Sequence, residues 1–229
     1  MGFIVDGCSI LIGGLLGGLF RKKITIKTHT SLSIAIMFIS MVGVLENILK
    51  TSDGKIIGEH TVVVTIALVA GYAIGDTLKL EDRIFSLSDS KSERKKGIVN
   101  SILFFAIGGL QISGPIVYAL EGDSFQLILK GIIDFPFALM LGATYGIIVS
   151  LSSFVVVLIQ LIIALCAYFL GNFVSEMLIR QLCSLGYLIL FFSGFNMLCH
   201  PNYKIKNTNI LPGILLIIIY NIITEVCSL

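Results

Sequence analysis

Eight apolar runs, each close to the length that crosses a lipid bilayer, dominate the sequence. They cover residues 3–20, 31–49, 61–78, 97–120, 131–150, 153–174, 182–199 and 209–227. About 20 apolar residues of helix span the hydrocarbon core, and the runs are continuous rather than alternating, which excludes a transmembrane β-barrel. A soluble domain is also excluded, because 56% of the 229 residues are hydrophobic and only 13% are charged. The sequence therefore predicts an all-α fold, a polytopic transmembrane helical bundle of about eight spans.

The basic residues between the runs predict how the bundle is oriented. If the N-terminus lies outside, the inside connections hold twelve of the 16 Lys and Arg residues. The outside connections then hold the other four, which are Lys50, Lys55, Lys130 and Arg180. Because Lys and Arg accumulate on the cytoplasmic side of membrane proteins, we expect both termini outside. The uncharged segment 150–153 can be a full turn or a re-entrant break.

The longest polar segment, residues 79–96, falls in a cytosolic connection under this topology. Its apolar residues have the spacing of one helical face, and they are Leu80, Ile84, Phe85 and Leu87. One interpretation is an amphipathic helix on the cytosolic leaflet. The other is a solvated linker.

Similar spacings in the two halves of the chain indicate an internal repeat. Asp6, Gly14 and Gly18 in span one have the same spacing as Asp134, Gly142 and Gly146 in span five. Asn100 and Asn209 likewise open spans four and eight. We therefore predict two four-helix halves, 1–120 and 121–229, as parallel repeats related by an axis along the membrane normal. Chance matching among glycine-rich helices is the alternative.

Pairs of glycines four residues apart predict close helix packing. The pairs are Gly14/Gly18, Gly71/Gly75 and Gly142/Gly146. Each pair lies on one helical face, where the absence of side chains lets two backbones approach. The alternative is a pathway lined by exposed backbone.

Polar groups at or near membrane depth are the candidate functional residues, because a charge in lipid costs about 2.5–3.5 kcal/mol on insertion scales. The six candidates are Asp134, Asp76, Asn100, Asn209, Asp6 and Gln111. Asp6 and Asp134 lie at equivalent depths and can bind a cation or a proton as partners, unless each meets water at the headgroups. Asn100 and Asn209 are either helix N-caps or a polar gate at the cytosolic mouth. Pro115 is expected to kink span four and to free the carbonyl of Gln111.

Signatures of catalysis are absent from the sequence. The three histidines, His29, His60 and His200, fall in predicted connections, and neither HExxH nor GxSxG occurs. We expect no enzyme, no cofactor and no metal site, and the basic residues form no nucleic-acid footprint. The expected partners are the lipid bilayer and a small ion or solute, and a homo-oligomer stays open.

These features favour a small transporter or channel-like protein that moves an ion or solute between the two halves. The alternative is a non-catalytic membrane subunit or a regulatory or interaction protein.

Several motifs, in this order, resemble one family over nearly the whole chain. They are Ile4-Val5-Asp6-Gly7, Gly71 to Asp76, Gly97 to Gly114, Gly131 to Gly146, and Asn209-Ile210-Leu211-Pro212. The chain resembles the YdfK/YqgA-like bacterial membrane proteins, domain-of-unknown-function family 554. The chain differs from this family pattern at Asp6, where the family usually has Asn. It implies a multi-pass protein of the bacterial cytoplasmic membrane and no established substrate.

Overall fold

The computed structural model describes residues 1–21, 26–49, 54–86, 93–106, 109–171, 175–199 and 203–227. Within these residues the chain forms α-helices and short 3₁₀ turns and no strand. The helices are α1 (Gly2–Leu19), α2 (Ile26–Leu49), α3 (Gly54–Thr77), α4 (Leu80–Ser86), α5 (Glu93–Ala106), α6 (Gly109–Glu121), α7 (Phe125–Tyr145), α8 (Ser152–Leu170), α9 (Glu176–Leu198) and α10 (Leu211–Cys227). Two 3₁₀ turns, Ile147–Leu151 and Asn207–Ile210, precede α8 and α10. The predicted all-α polytopic bundle is confirmed.

Seven helices are long and apolar enough to cross a membrane, and the number is eight if the bent pair α5 and α6 forms one span. The axes of that pair differ by 55°. The sequence prediction placed the kink at Pro115, but Pro115 lies inside α6. The 55° bend comes earlier in the chain, between Ala106 and Leu110, and a separate kink at Pro115 stays a prediction.

Contacts between neighbouring helices show that successive spans alternate in direction. The pairs that establish this are Gly2 with Leu127 for α1 and α7, Gly14 with Ser150 for α1 and the turn before α8, Leu120 with Gly171 for α6 and α8, Gly43 with Tyr187 for α2 and α9, and Gly75 with Asn209 for α3 and α10. Helices α1 and α7 run parallel, whereas α1 runs antiparallel to α8. The chain therefore makes a full turn between α7 and α8, at residues 146–151 rather than 150–153.

Two faces of the bundle follow from this alternation. We call the end at which α1 begins the N-terminal face, and the end that carries α4 and both 3₁₀ turns the basic face. Which face meets the cytosol stays a prediction.

The helices pack in two groups of four spans. Helices α1, α6, α7 and α8 surround Ile10, Phe137 and Val156. Helices α2, α3, α9 and α10 form the other group, in which Ala67 and Ile189 lie in the core. Each group takes spans from both predicted halves of the sequence, and the internal repeat stays a prediction.

Glycines set the closest crossings of the bundle. A Cβ atom on Gly142 would lie 2.5 Å from the carbonyl oxygen of Gly14, and one on Gly71 would lie 2.5 Å from the backbone nitrogen of Gly213. Gly14, Gly18 and Gly75 face backbone atoms just as closely. The predicted packing role of Gly146 is wrong, because a Cβ there would meet nothing within 4 Å. Gly146 instead ends α7 with φ 89°, a conformation that glycine adopts without strain.

Two helix starts differ from the prediction in a way that matters for the site. Helix α7 begins at Phe125 and not at residue 131, because Asp123 Oδ1 accepts the N–H of Phe125 at 2.8 Å. Lys130 consequently lies within a span rather than in an outside connection. His60 is likewise buried inside α3, since this helix begins at Gly54.

The segment after α3 forms the helix α4 over Leu80–Ser86, and residues 87–92 lie outside the described part of the chain. Leu80 and Ile84 are half-buried. Helix α4 packs against the 3₁₀ turn before α10, so protein covers at least part of its surface.

Candidate functional site

Four spans each bring a buried polar side chain to one place in the bundle. Asp6 of α1 is 0% exposed, Lys130 and Asp134 of α7 are 3% and 4% exposed, and Gln160 of α8 and Gln111 of α6 are 0% exposed. We call these five residues the buried charge cluster. Asp6 and Gln111 come from the first predicted half of the chain, and the other three come from the second.

Lys130 joins the two carboxylates. Its Nζ donates to Oδ2 of Asp6 at 2.9 Å and also to Oδ2 of Asp134, one helical turn further along α7. The neighbouring Gly131 explains why α1 comes within reach, since a Cβ there would lie 3.0 Å from the Cα of Asp6. The predicted partners Asp6 and Asp134 thus meet through the ammonium group of Lys130.

Two amides extend the cluster across the bundle. Gln160 Nε2 donates to Oδ2 of Asp6 at 2.5 Å and to Oε1 of Gln111 at 3.1 Å. Gln111 Nε2 in turn donates to the backbone oxygen of Val156 at 3.2 Å. Both contacts of Gln160 need an N–H donor, so its amide orientation is fixed by its partners.

The cluster extends inward from the N-terminal face. At 1.5 Å per residue, Asp6 and Lys130 lie about 6–8 Å from the ends of their helices at that face, whereas Asp134, Gln160 and Gln111 lie about 14–15 Å from theirs. The hydrocarbon core is about 30 Å thick. Two carboxylates and one ammonium leave the cluster with a formal charge of −1. Burying a net charge within membrane spans costs free energy.

Two oxygens of the cluster have no hydrogen-bond partner although both are buried. They are Oδ1 of Asp6 and Oε1 of Gln160. Buried polar atoms are nearly always paired, so this pair of acceptors marks where a further donor or cation would be stabilised.

A cavity of about 600 Å³ opens at the N-terminal face above the cluster. We call it the vestibule, and its walls include Leu120 and Glu121 of α6, Tyr168 of α8 and Glu176 of α9. Leu120 is nine residues from Gln111, and Tyr168 is eight residues from Gln160, so the vestibule lies about 12–14 Å from the two amides along α6 and α8.

A second polar group, the basic-face cluster, joins α3 and α4 to the 3₁₀ turn before α10. Its members are Asp76, Glu81, Asp82, Lys206 and Asn209. Asn209 donates to Asp76 Oδ1 at 3.2 Å and accepts the N–H of Glu81 at 3.1 Å. Glu81 Oε2 accepts the N–H of Thr208 at 3.1 Å. Partial burial raises the pKa of the Glu81 carboxyl above its ordinary value of 4.5.

The six residues singled out from the sequence therefore fall in three places. Asp6, Asp134 and Gln111 belong to the buried charge cluster, and Asp76 and Asn209 belong to the basic-face cluster. Asn100 is separate, because its Nδ2 donates to the hydroxyl of Tyr145 at 3.1 Å. It lies within α5 and so cannot be an N-cap, whereas Asn209 lies in the 3₁₀ turn before α10.

Lys130 is the functional candidate that sequence reasoning missed. Treating it as a boundary marker of span five hid its position four residues before Asp134, which is one helical turn. The turn-forming sequence Glu121-Gly122-Asp123-Ser124 was the signal that the helix begins earlier. Gln160 had been noted as a polar group at depth, but its partners could not be read from the sequence.

Comparison with known proteins shows to which family the chain belongs. The family model described as "Protein of unknown function (DUF554)" matches residues 1–222. The chain belongs to this family. It is 28% identical over 218 residues to the "Uncharacterized membrane protein YdfK" of Bacillus subtilis (strain 168), covering 94% of this chain and 93% of the relative.

A second family relative comes from another bacterium. The "Uncharacterized protein YqgA" of Escherichia coli (strain K12) is 24% identical over 229 residues, with 94% of each chain covered. No solved structure matches significantly. The chain is thus a membrane protein of a family whose function is unknown.

Proposed function

We propose that this protein is a small transporter or channel-like protein of the bacterial cytoplasmic membrane, and that it moves an ion or small solute by way of the buried charge cluster. The observation that carries the proposal is the cluster itself, a Lys and two Asp residues buried among the spans, with two unpaired acceptor oxygens. Ionisable groups inside a membrane bundle are characteristic of ion and proton pathways. The proposal includes no catalytic step.

Charge supports this function over a purely structural one. A structural ion pair between helices needs one carboxylate for one ammonium, whereas Lys130 faces both Asp6 and Asp134. The extra buried negative charge is unfavourable unless a ligand offsets it. A site that binds a cation in passing has this composition.

The vestibule supports access from the N-terminal face. Glu121 and Glu176 line it, and acidic side chains at the mouth of a cavity raise the local concentration of cations. Ser113 and Val117 of α6, which lie between Leu120 and Gln111 along the helix, are buried, so passage requires α6 or α8 to move. This corresponds to an occluded state in an alternating-access cycle.

Flux measurements on liposomes that contain the purified full chain test the proposal. Gradients of protons, Na⁺ and K⁺ are imposed one at a time, with glycerol as an uncharged small solute. We expect flux for at least one of these probes, and at least a tenfold loss of that flux in Asp134→Asn, which removes the charge while keeping the shape of the side chain.

Asp82→Asn is the matched control, because Asp82 also pairs with a lysine but lies at the basic face. It is expected to retain the flux of the unaltered protein. Absence of flux for all four probes, or equal flux in Asp134→Asn and Asp82→Asn, contradicts transport through the cluster. That result would favour a membrane subunit or regulatory protein instead.

A further inference from the structure

We infer that the ligand of the buried charge cluster is a proton, held on Oδ1 of Asp6 and donated to Oε1 of Gln160. This inference rests on the proposed function, since it names the ion taken up by the same site. It makes the cluster a protonation site whose occupied form is electrically neutral.

Charge balance is the first argument. Lys130 contributes one positive charge, and Asp6 and Asp134 together contribute two negative charges. One bound proton brings the sum to zero without moving Lys130 away from either carboxylate. In a low-dielectric interior the neutral form is strongly favoured over a form with net charge.

Hydrogen bonding places the proton on one particular oxygen. Oδ2 of Asp6 already accepts from both Lys130 and Gln160. Among the described residues, Oδ1 of Asp6 is the buried carboxylate oxygen without a partner. A proton on Oδ1 therefore breaks no existing hydrogen bond.

The Gln160 amide provides the matching acceptor. Its Nε2 is already joined to Oδ2 of Asp6 at 2.5 Å, while its Oε1 has no partner. A protonated carboxyl and a primary amide form a pair in which each group donates once and accepts once. One hydrogen atom on Asp6 thus satisfies both unpaired oxygens.

A proton also fits this site better than a divalent cation or an anion. Ca²⁺ takes about six to eight oxygen ligands and Mg²⁺ about six, whereas the cluster offers two unpaired oxygens. In the described part of the chain, no group of three or more His, Cys, Asp and Glu side chains could hold a metal ion. An anion is disfavoured by the net negative charge of the cluster.

The neighbouring helices present few other groups to this end of α1. In the described residues these groups are Lys130 and Asp134 of α7, Gln160 of α8, and Gln111 and Tyr118 of α6. The ring of Tyr118 packs against Phe3 at 4.9 Å. Lys130 is the one cation in this set, so the local charge count leaves one proton for the two carboxylates, and the unpaired Oδ1 assigns it to Asp6.

Infrared spectroscopy of the full chain in liposomes measures this proton directly. The readout is the carbonyl stretch of a protonated carboxyl, identified by its shift when H₂O is exchanged for D₂O. We expect the band at neutral pH in the unaltered protein and in Asp82→Asn. We expect its loss in Asp6→Asn and also in Asp134→Asn, where the remaining carboxylate balances Lys130 alone.

Gln160→Leu locates the proton. Removing the amide takes away both the acceptor of the carboxyl O–H and the donor to its carbonyl oxygen, so the band should stay and move to higher frequency, whereas a proton on Asp134 would leave the band in place. A band that is absent from the unaltered protein, that survives in Asp6→Asn, or that does not move in Gln160→Leu overturns the inference. Gln160→Leu decides the question even if an Asp6 variant fails to fold.

These outcomes separate the inference from the proposed function. Flux without the infrared band overturns the inference and leaves transport standing. The band without flux overturns transport and leaves the protonation site standing.

Discussion

The two ends of the bundle use the same pairing of Lys with Asp in opposite surroundings. Lys130 and its partners Asp6 and Asp134 have side chains that are 0–6% exposed, whereas Lys206 and Asp82 have side chains that are 40% and 55% exposed. At the basic face water completes the solvation of each charge, so the pair is nearly dispensable. In the interior every charge needs a counter-charge, because no water solvates a charge that is left unpaired.

Each pair lies beside a helix crossing made of glycine. Gly131 brings α7 against α1 next to the buried charge cluster, and Gly13 and Gly17 continue the same crossing away from it. Gly71 and Gly75 bring α3 against α10 next to the basic-face cluster. The crossing is therefore common to both ends, and burial is what differs. The following substitutions test whether burial alone sets the consequences.

The largest expected effect is that of Lys130→Met, which leaves a buried carboxylate without a counter-charge. Loss of one partner of a buried ion pair costs about 3–5 kcal/mol of unfolding free energy. Thermal unfolding followed by circular dichroism in detergent micelles measures it. The double variant Lys130→Met with Asp134→Asn should recover most of the loss, because its cluster is neutral again.

Lys206→Met is the counterpart at the basic face, and it should lower the unfolding midpoint far less than Lys130→Met because water solvates the exposed pair. Equal destabilisation by the two Lys→Met changes would remove the contrast between the ends of the bundle.

The next effect concerns the α1–α7 crossing. Gly17→Val places a Cβ against the backbone carbonyl of Leu139, and backbone cannot move aside as a side chain can. Overpacking of this kind costs about 3 kcal/mol, measured as above. Gly58→Ala is the control, because a Cβ there meets nothing within 4 Å and alanine is the better helix former. A tolerated Gly17→Val would mean that this crossing does not hold the cluster together.

Much of this architecture could be predicted from the sequence, and the reason is the length of the apolar runs. Continuous apolar runs fix helices and approximate spans, since lipid imposes a length. The partnership of Asp6 with Asp134 could be hypothesised from their matching positions in the predicted repeat, although in the structure Asp6 lies four residues and Asp134 nine residues from the start of its helix. The position of Lys130 could not be predicted. A lysine beside an apolar run is taken to mark the end of that run, unless the carboxylate that pairs with it inside the bundle is known. The amides of Gln160 and Gln111 meet across two helices, and no spacing in the chain encodes that contact.

A smaller effect is expected from Asn209→Ala in the basic-face cluster. The change removes the hydrogen bonds to Asp76 and to the N–H of Glu81, which are worth about 1 kcal/mol each. We expect a loss of about 1–2 kcal/mol in the same unfolding measurement. Asp76→Asn keeps an acceptor for Asn209 and should lose less, and the reverse order would show that charge rather than hydrogen bonding stabilises this turn.

The smallest effect is a pH dependence from Glu81. Because burial raises the pKa of this carboxyl above 4.5 in the folded chain, the folded state binds the proton more tightly than the unfolded state. The stabilisation is complete below pH 4.5 and is lost as pH rises through the folded pKa. Unfolding midpoints measured from pH 4 upward should therefore fall more in the unaltered protein than in Glu81→Gln. Parallel profiles for the two proteins would contradict this.

The distance along the chain between Asp6 and Lys130 has a consequence for biosynthesis. The two residues that meet in the membrane are 124 positions apart, and ribosomes add about 5–20 residues per second. The first helix therefore waits on the order of 10 s, inserted or held at the translocon, before its lysine is made. During this interval the neutral, protonated form of Asp6 is the one that lipid tolerates best, so the protonation inferred for the finished site also lets the first span enter the membrane alone.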